Sequence, residues 1–275
     1  MKKYIFMAVA GMLALSSCSN DDNEQTTQNA PRQMTFTAGF GDDGLTRASL
    51  NGSTKKVSFD TNDAFSVFSE NNTQAVEFTT TDGTNFSGTA EDASQFYAVY
   101  PHKTSYTFDS SLGVISVISI PHDQSKAASS TCGWDPDAPI AYATTTGTSF
   151  TFHNLCALLK VTNDKDHKVA IHIIDIDDKA YMAGDFNYIT VLGKLTERDP
   201  NYYYSGVKVD GVPAGKTVYL AIAPCTVDHL VAIWLDDTEN GRKGKNTSVT
   251  FEAGKIYDLG NVSAWNDPMT QVPVP

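Results

Sequence analysis

Three carboxylates, Asp175, Asp177 and Asp178, have the spacing in this 275-residue chain that comes closest to gathering a cation. Oxygen ligands at alternate loop positions hold calcium, but the pattern also needs glycine at the sixth position and glutamate at the twelfth. Ala180 and Phe186 stand there instead, so a solvated strand end is expected and no metal ligand is assigned. The histidines are scattered: His172 lies in an alternating run and reads as a strand residue, and His153 falls near an expected domain junction. Neither has a local partner that would make it a general base. No G-x-S-x-G elbow, H-E-x-x-H pair, phosphate-cradling glycine loop or dinucleotide fingerprint occurs. Tyr202, Tyr203 and Tyr204 have the makings of a sugar-stacking platform, but aromatics are ordinary strand residues, and that is the preferred reading. The expectation is a protein that is not an enzyme and carries no cofactor beyond a covalent modification at Cys18.

That cysteine has the clearest chemical fate in the chain. Lys2 and Lys3 form a basic head, Tyr4 to Leu15 an apolar run, and Ser16 and Ser17 the small residues that precede a signal-peptidase cut. A membrane span needs about 20 apolar residues, so the run reads as a removed export signal over residues 1–17. Leu15-Ser16-Ser17-Cys18 resembles the lipobox of bacterial lipoproteins, in which the cysteine becomes the lipidated first residue. Acyl chains contribute about 0.8 kcal/mol per buried methylene, and several of them anchor durably. The outer membrane, reached through lipid, is therefore the first expected partner.

Residues 18–32 hold almost nothing apolar and read as a flexible leash. Asp21, Asp22 and Glu24 sit just after the anchor and resemble the surface-export signal of lipoproteins from gut and oral Gram-negative anaerobes. A solvated tether with incidental charge is an equal reading. The formal net charge of −12, with no local basic cluster, argues against nucleic acid. Cys132, Cys156 and Cys225 are odd in number and widely spaced, which fits buried free thiols better than a metal knuckle. A Cys156–Cys225 disulfide stays open.

The elements that must position any site are strands. Met34, Phe36, Ala38 and Phe40 alternate with Gln33, Thr35, Thr37 and Gly39, the period of a half-buried strand. Turn-rich Gly41-Asp42-Asp43-Gly44 ends it, and short strand-like runs follow at Phe65–Phe68, Val76–Thr79, Phe96–Tyr100, Val114–Ile120 and Ile140–Ala143. A large-apolar-free stretch, Thr144 to Ser149, places the expected division between residues 148 and 149. The strongest strand signal, Phe150 to Thr162, then opens a second core containing Val169–Ile176, Tyr188–Leu192, Val218–Ala223 and Leu230–Leu235. Domains over 33–148 and 149–265 are expected, with a proline-broken tail, 266–275, poorly suited to a strand ladder. Many short strands without a helical repeat indicate an all-β antiparallel sandwich or barrel.

Taken in order, the lipobox, Met34–Phe40, Thr46–Ser49 (TRAS), Phe96–Pro101 (FYAVYP), Phe150–Thr162, Tyr219–Pro224 (YLAIAP) and Phe251–Val262 resemble the fimbrillin family, the lipoprotein pilins called type V or Mfa-like. The resemblance implies two tandem Greek-key, transthyretin-like β-sandwich domains and assembly outside the outer membrane, in a pilus once processed. It implies cleavage by an arginine-specific protease after Arg47, release of the strand bearing Met34, Phe36, Ala38 and Phe40, and its replacement by a strand from another pilin subunit. Because the tail is short and proline-broken, a minor or tip subunit used in adhesion, with a host or bacterial surface ligand, is expected. The rival is a non-polymerising surface lipoprotein that binds a glycan or another ligand.

Overall fold

The computed structural model describes residues 30–41, 59–198, 203–236, 240–245 and 248–265. In chain order the first strands are β1 (Arg32–Phe40), β2 (Ala64–Phe68), β3 (Val76–Thr80), β4 (Asn85–Ala90) and β5 (Phe96–Tyr100). Next come β6 (Thr107–Asp109), β7 (Val114–Ile120), the single-turn helix α1 (Lys126–Ser129), β8 (Ala141–Thr145) and β9 (Ser149–Asn154). The remaining strands begin with β10 (Ala157–Thr162), β11 (Val169–Asp175), β12 (Ala183–Ile189), β13 (Lys194–Glu197), β14 (Tyr203–Tyr204) and β15 (Gly206–Val212). They end with β16 (Thr217–Ile222), β17 (Cys225–Val227), β18 (Leu230–Leu235), β19 (Asn240–Lys245), β20 (Val249–Phe251) and β21 (Ile256–Asn261). The fold is all-β, as the alternating runs predict.

Seven strands close into a barrel in the order β1, β4, β3, β2, β5, β8, β9, and β9 returns to β1. Where two open sheets of a sandwich were expected, the parallel pairing of β9 with β1 completes a ring. Alternation explains the filling. Phe65, Val67, Phe96, Ala98, Tyr100, Ala141 and Ala143 point inward, joined by Phe78, Phe86, Phe150 and Phe152. The intervening Phe68, Val99 and Tyr142 point outward and are buried all the same. Their far side is covered by the rest of the molecule: Tyr142 meets Tyr188 of β12 at 4.4 Å, and Tyr97 meets Phe108 of β6 at 4.7 Å. Strands β2 and β5, and β8 as far as Ala143, are thus covered on both faces, which is why their sequences read as near-continuous apolar runs.

Beyond the barrel lie sheets β15-β11-β18-β19, β16-β10-β21 and β13-β12-β7-β6, with β14 also on β12, and the pair β17-β20. Two expectations are corrected here. The division between residues 148 and 149 falls inside the β8–β9 hairpin, because β9 pairs with β8 and β1. The run from Phe150 to Thr162 reads as one strand signal, yet it breaks at Leu155 and Cys156, leaving Phe150 and Phe152 in the barrel and Leu159 and Val161 in the second core. Periodicity marks a buried strand without saying which core buries it. Likewise β7, expected with the N-terminal strands, pairs with β12 from Gly184↔Ile120 to Ile189↔Val114. A bulge marks that pairing, with Val117 at a φ of 66°.

The run Tyr188–Leu192 also departs from expectation. The strand stops at Ile189, and Val191 and Leu192 occupy a hairpin tip, 81% and 61% exposed, turned by Gly193 at a φ of 64°. The adjacent β6–β7 tip is bound to it: the Thr190 amide and hydroxyl both donate to the Gly113 carbonyl at 2.9 Å.

Candidate functional site

Strand β1 and its seat are the sequence-predicted residues that the structure brings together. Phe36 and Ala38 are buried and Met34 and Phe40 half-buried, while Gln33, Thr35, Thr37 and Gly39 face solvent. The N-terminal part of β1 pairs antiparallel with β4, from Arg32↔Ala90 to Thr37↔Asn85. The C-terminal part pairs parallel with β9, from Thr37↔Ser149 to Phe40↔Phe152. Both neighbours are remote in sequence, so β1 is a plank laid between strands that belong to other hairpins.

Its side chains fill a phenylalanine-lined trough. The Phe36 ring lies 4.8 Å from Phe150, 5.1 Å from Phe96 and 5.3 Å from Phe78. Phe40 packs on Phe59 at 4.4 Å and on Phe152 at 5.9 Å. Fully burying one such side chain is worth about 1.5–3 kcal/mol, so the two rings anchor the strand. Backbone bonds supplement the ladders, with the Thr37 amide donating to Thr148 at 2.9 Å and the Gly41 amide to Phe152 at 3.0 Å. Opposite Met34, Gly88 leaves no room for a side chain, since a Cβ there would stand 2.5 Å from the Glu77 carbonyl oxygen and 2.7 Å from the Phe78 ring. The rim is polar. Thr35 and Ser87 hydroxyls meet at 2.9 Å, and an exposed Arg32–Asp92 ion pair at 3.0 Å adds little.

Cys18 and Arg47 lie outside the described residues. The remaining cysteines are free: Cys156 is buried, and Cys132 and Cys225 are half-buried. Burial pushes the Cys156 and Cys225 thiols up to about 12, which disfavours the thiolate at neutral pH. Among the described residues no cluster of metal-ligating side chains exists. Asp175 is not a solvated strand end, as its carboxylate is buried and accepts backbone hydrogen bonds from Asp177, Lys179 and Ala180 at 3.2, 3.0 and 2.9 Å. Asp177 instead pairs with His229 at 2.7 Å.

One pair escaped the sequence because its members are far apart in the chain: the Ser66 hydroxyl lies 2.9 Å from His102 Nδ1. It has the look of a nucleophile and base, but Ser66 is fully buried and its oxygen accepts the Lys103 amide at 3.2 Å. Burial holds His102 below the ordinary imidazole value and does the same to His172. His167 is shifted upward, chiefly by its bond to Asp166 at 2.8 Å, with Asp236 at 2.6 Å on the other nitrogen. A proton titration followed by NMR is therefore expected to show His102 and His172 charging only below the usual range and His167 losing its proton above it. The first two contribute stability above the ordinary histidine pKa that is lost as pH falls through their lowered values. His167 contributes stability below the ordinary value that is lost as pH rises through its raised one.

No protein-family model matches the chain, and no curated protein matches it. Solved structures do. A candidate cell adhesion protein from Bacteroides uniformis superposes with a TM-score of 0.52 at 16% identity, over 85% of this chain and 95% of that one. One from Bacteroides thetaiotaomicron gives 0.49 at 11% identity, over 89% and 100%. The tip fimbrial protein Mfa3 from Porphyromonas gingivalis, truncated at its C-terminus, gives 0.38 at 11% identity, over 80% and 81%. The chain thus has the fold of the Bacteroides uniformis protein, consistent with the Mfa-like fimbrillin resemblance carried by its sequence motifs.

Proposed function

We propose that this chain is a fimbrillin-type surface protein that acts in adhesion and accepts a neighbouring subunit's strand in place of β1. The observation that carries the reading is the seat of β1: a strand near the chain's N-terminal end closes a barrel by pairing with two strands distant in sequence, and its alternate side chains are the apolar filling. Loss of such a strand exposes backbone donors and acceptors on both β4 and β9 together with the phenylalanine trough. An arrangement of this kind is driven to recapture a strand. The Bacteroides uniformis neighbour, a candidate cell adhesion protein, supports the adhesive role.

In this scheme Cys18 carries the lipid that holds the chain at the outer membrane, and an arginine-specific protease cuts after Arg47, freeing both lipid and β1. Treatment of the full-length protein with such a protease is expected to yield a fragment whose N-terminal sequence starts at Ala48. Arg47→Ala should block both that product and incorporation into fibres. A cut confined to Arg32 would leave β1 seated and count against the scheme. Cys18→Ala should leave the protein unlipidated, which mass spectrometry of membrane fractions reads directly.

A further inference from the structure

The cleft with the most usable chemistry lies away from β1. It is an open cleft of about 610 Å³ between the edge strand β13 and the corner that joins β16 to β17, within the volume range of small-ligand sites. Phe186, 3% exposed, and the half-buried Tyr181 line it. Tyr203 packs behind them, 4.5 Å from Tyr181 and 5.2 Å from Phe186, so one member of the tyrosine triplet braces an aromatic floor. The rim carries Lys179, Lys194, Thr196 and Glu197.

The charge of this rim runs against that of the whole chain. In a protein of net charge −12, two exposed lysines here face one glutamate. Lys179 has only a loose contact with Asp177 at 3.5 Å, and among the described residues Lys194 forms no ion pair. A pyranose presents an apolar C–H face that suits an aromatic floor and hydroxyls that suit a polar rim. The ammonium of Lys194, and that of Lys179 beyond its 3.5 Å contact with Asp177, add attraction for a carboxylate. An extended peptide added to β13 is the competing occupant, since that strand has a neighbour on one side only. With four residues and a charge at each end, β13 has the features that keep sheet edges unpaired.

We propose that this cleft binds an acidic oligosaccharide, with Tyr181 contacting the sugar ring and Lys179 and Lys194 holding its carboxylate. The site goes beyond the strand-exchange reading and stands whether or not β1 is ever replaced.

Isothermal titration of the full chain with 3′-sialyllactose and tri-galacturonate, and with lactose as the uncharged control, tests it. At least one acidic sugar should bind about tenfold or more tighter than lactose, and Tyr181→Ala and Lys194→Glu should each weaken it at least about tenfold. Lys194 is exposed, so its substitution leaves folding intact and circular dichroism unchanged. Binding of neither acidic sugar, or binding indifferent to Lys194→Glu, overturns the proposal. So does binding of an alternating Val-Thr octapeptide that Leu195→Pro abolishes while the sugars stay inert, which would make the cleft a strand acceptor.

Discussion

A chain that begins at Ala48 is expected to lose the barrel's near-ultraviolet signature and to recover it when a peptide spanning Gln33–Phe40 is added. The recovery follows from how β1 is held. Its register is set on one side by β4 and on the other by β9, and its buried residues reach Phe78, Phe96 and Phe150. Everything the strand contributes is noncovalent, so a separate peptide makes the same contacts at the cost of association entropy. Phe36→Ala in that peptide removes a fully enclosed ring, a change that typically costs about 3–5 kcal/mol. Since each 1.4 kcal/mol is a factor of ten, affinity should fall by roughly two to three and a half orders of magnitude. Gln33→Ala, at an exposed position, should alter it by less than about 0.5 kcal/mol. Equal loss from the two substitutions would mean that the trough does not select the strand.

The second large effect lies in the other core. Asp175→Ala is expected to destabilise the chain by about 2–5 kcal/mol, because it leaves three backbone N–H groups without their acceptor, one of them on the buried Ala180. Asp175→Asn keeps a single carbonyl oxygen and should recover part of that loss. Urea denaturation compares the three proteins directly. Were Asp175 a solvated strand end, both substitutions would fall within about 0.5 kcal/mol of the parent.

The contrast between these two regions shows how far the sequence could be read. The strand Met34–Phe40 was legible because its alternation is clean, with apolar residues on one face and small polar ones on the other, and only one register buries the first set. Asp175 was not, since its burial depends on a turn that folds backbone amides onto it, and a carboxylate in a polar cluster looks the same whether wet or buried. The barrel's closure was hidden for a related reason: parallel pairing of β1 with β9 joins residues more than a hundred positions apart. The Ser66–His102 contact shares that difficulty. The division expected at residue 148 failed because glycine, serine and threonine mark the β8–β9 turn just as they would a linker. Val191 and Leu192 misled in the opposite direction, since large apolar residues following a strand usually extend it, and here Gly193 turns the chain before they can join one.

The fimbrillin resemblance adds what the geometry of β1 alone does not, a reason for the strand to leave. A barrel with a phenylalanine-filled interior gains nothing from losing a stave unless another takes its place. In the proposed scheme, exchange would link cleavage at Arg47 to assembly.

The most direct test is disulfide trapping in the predicted register. Thr35 and Ser87 face one another with their hydroxyl oxygens 2.9 Å apart. A β1 peptide carrying Thr35→Cys, added under mild oxidation to a chain starting at Ala48 with Ser87→Cys and Cys132→Ser, should form a covalent adduct. Moved to Thr89→Cys, the acceptor cysteine should give none. Failure to cross-link at position 87, or equal cross-linking at 87 and 89, would contradict the claim that the barrel takes a foreign strand into the place of its own.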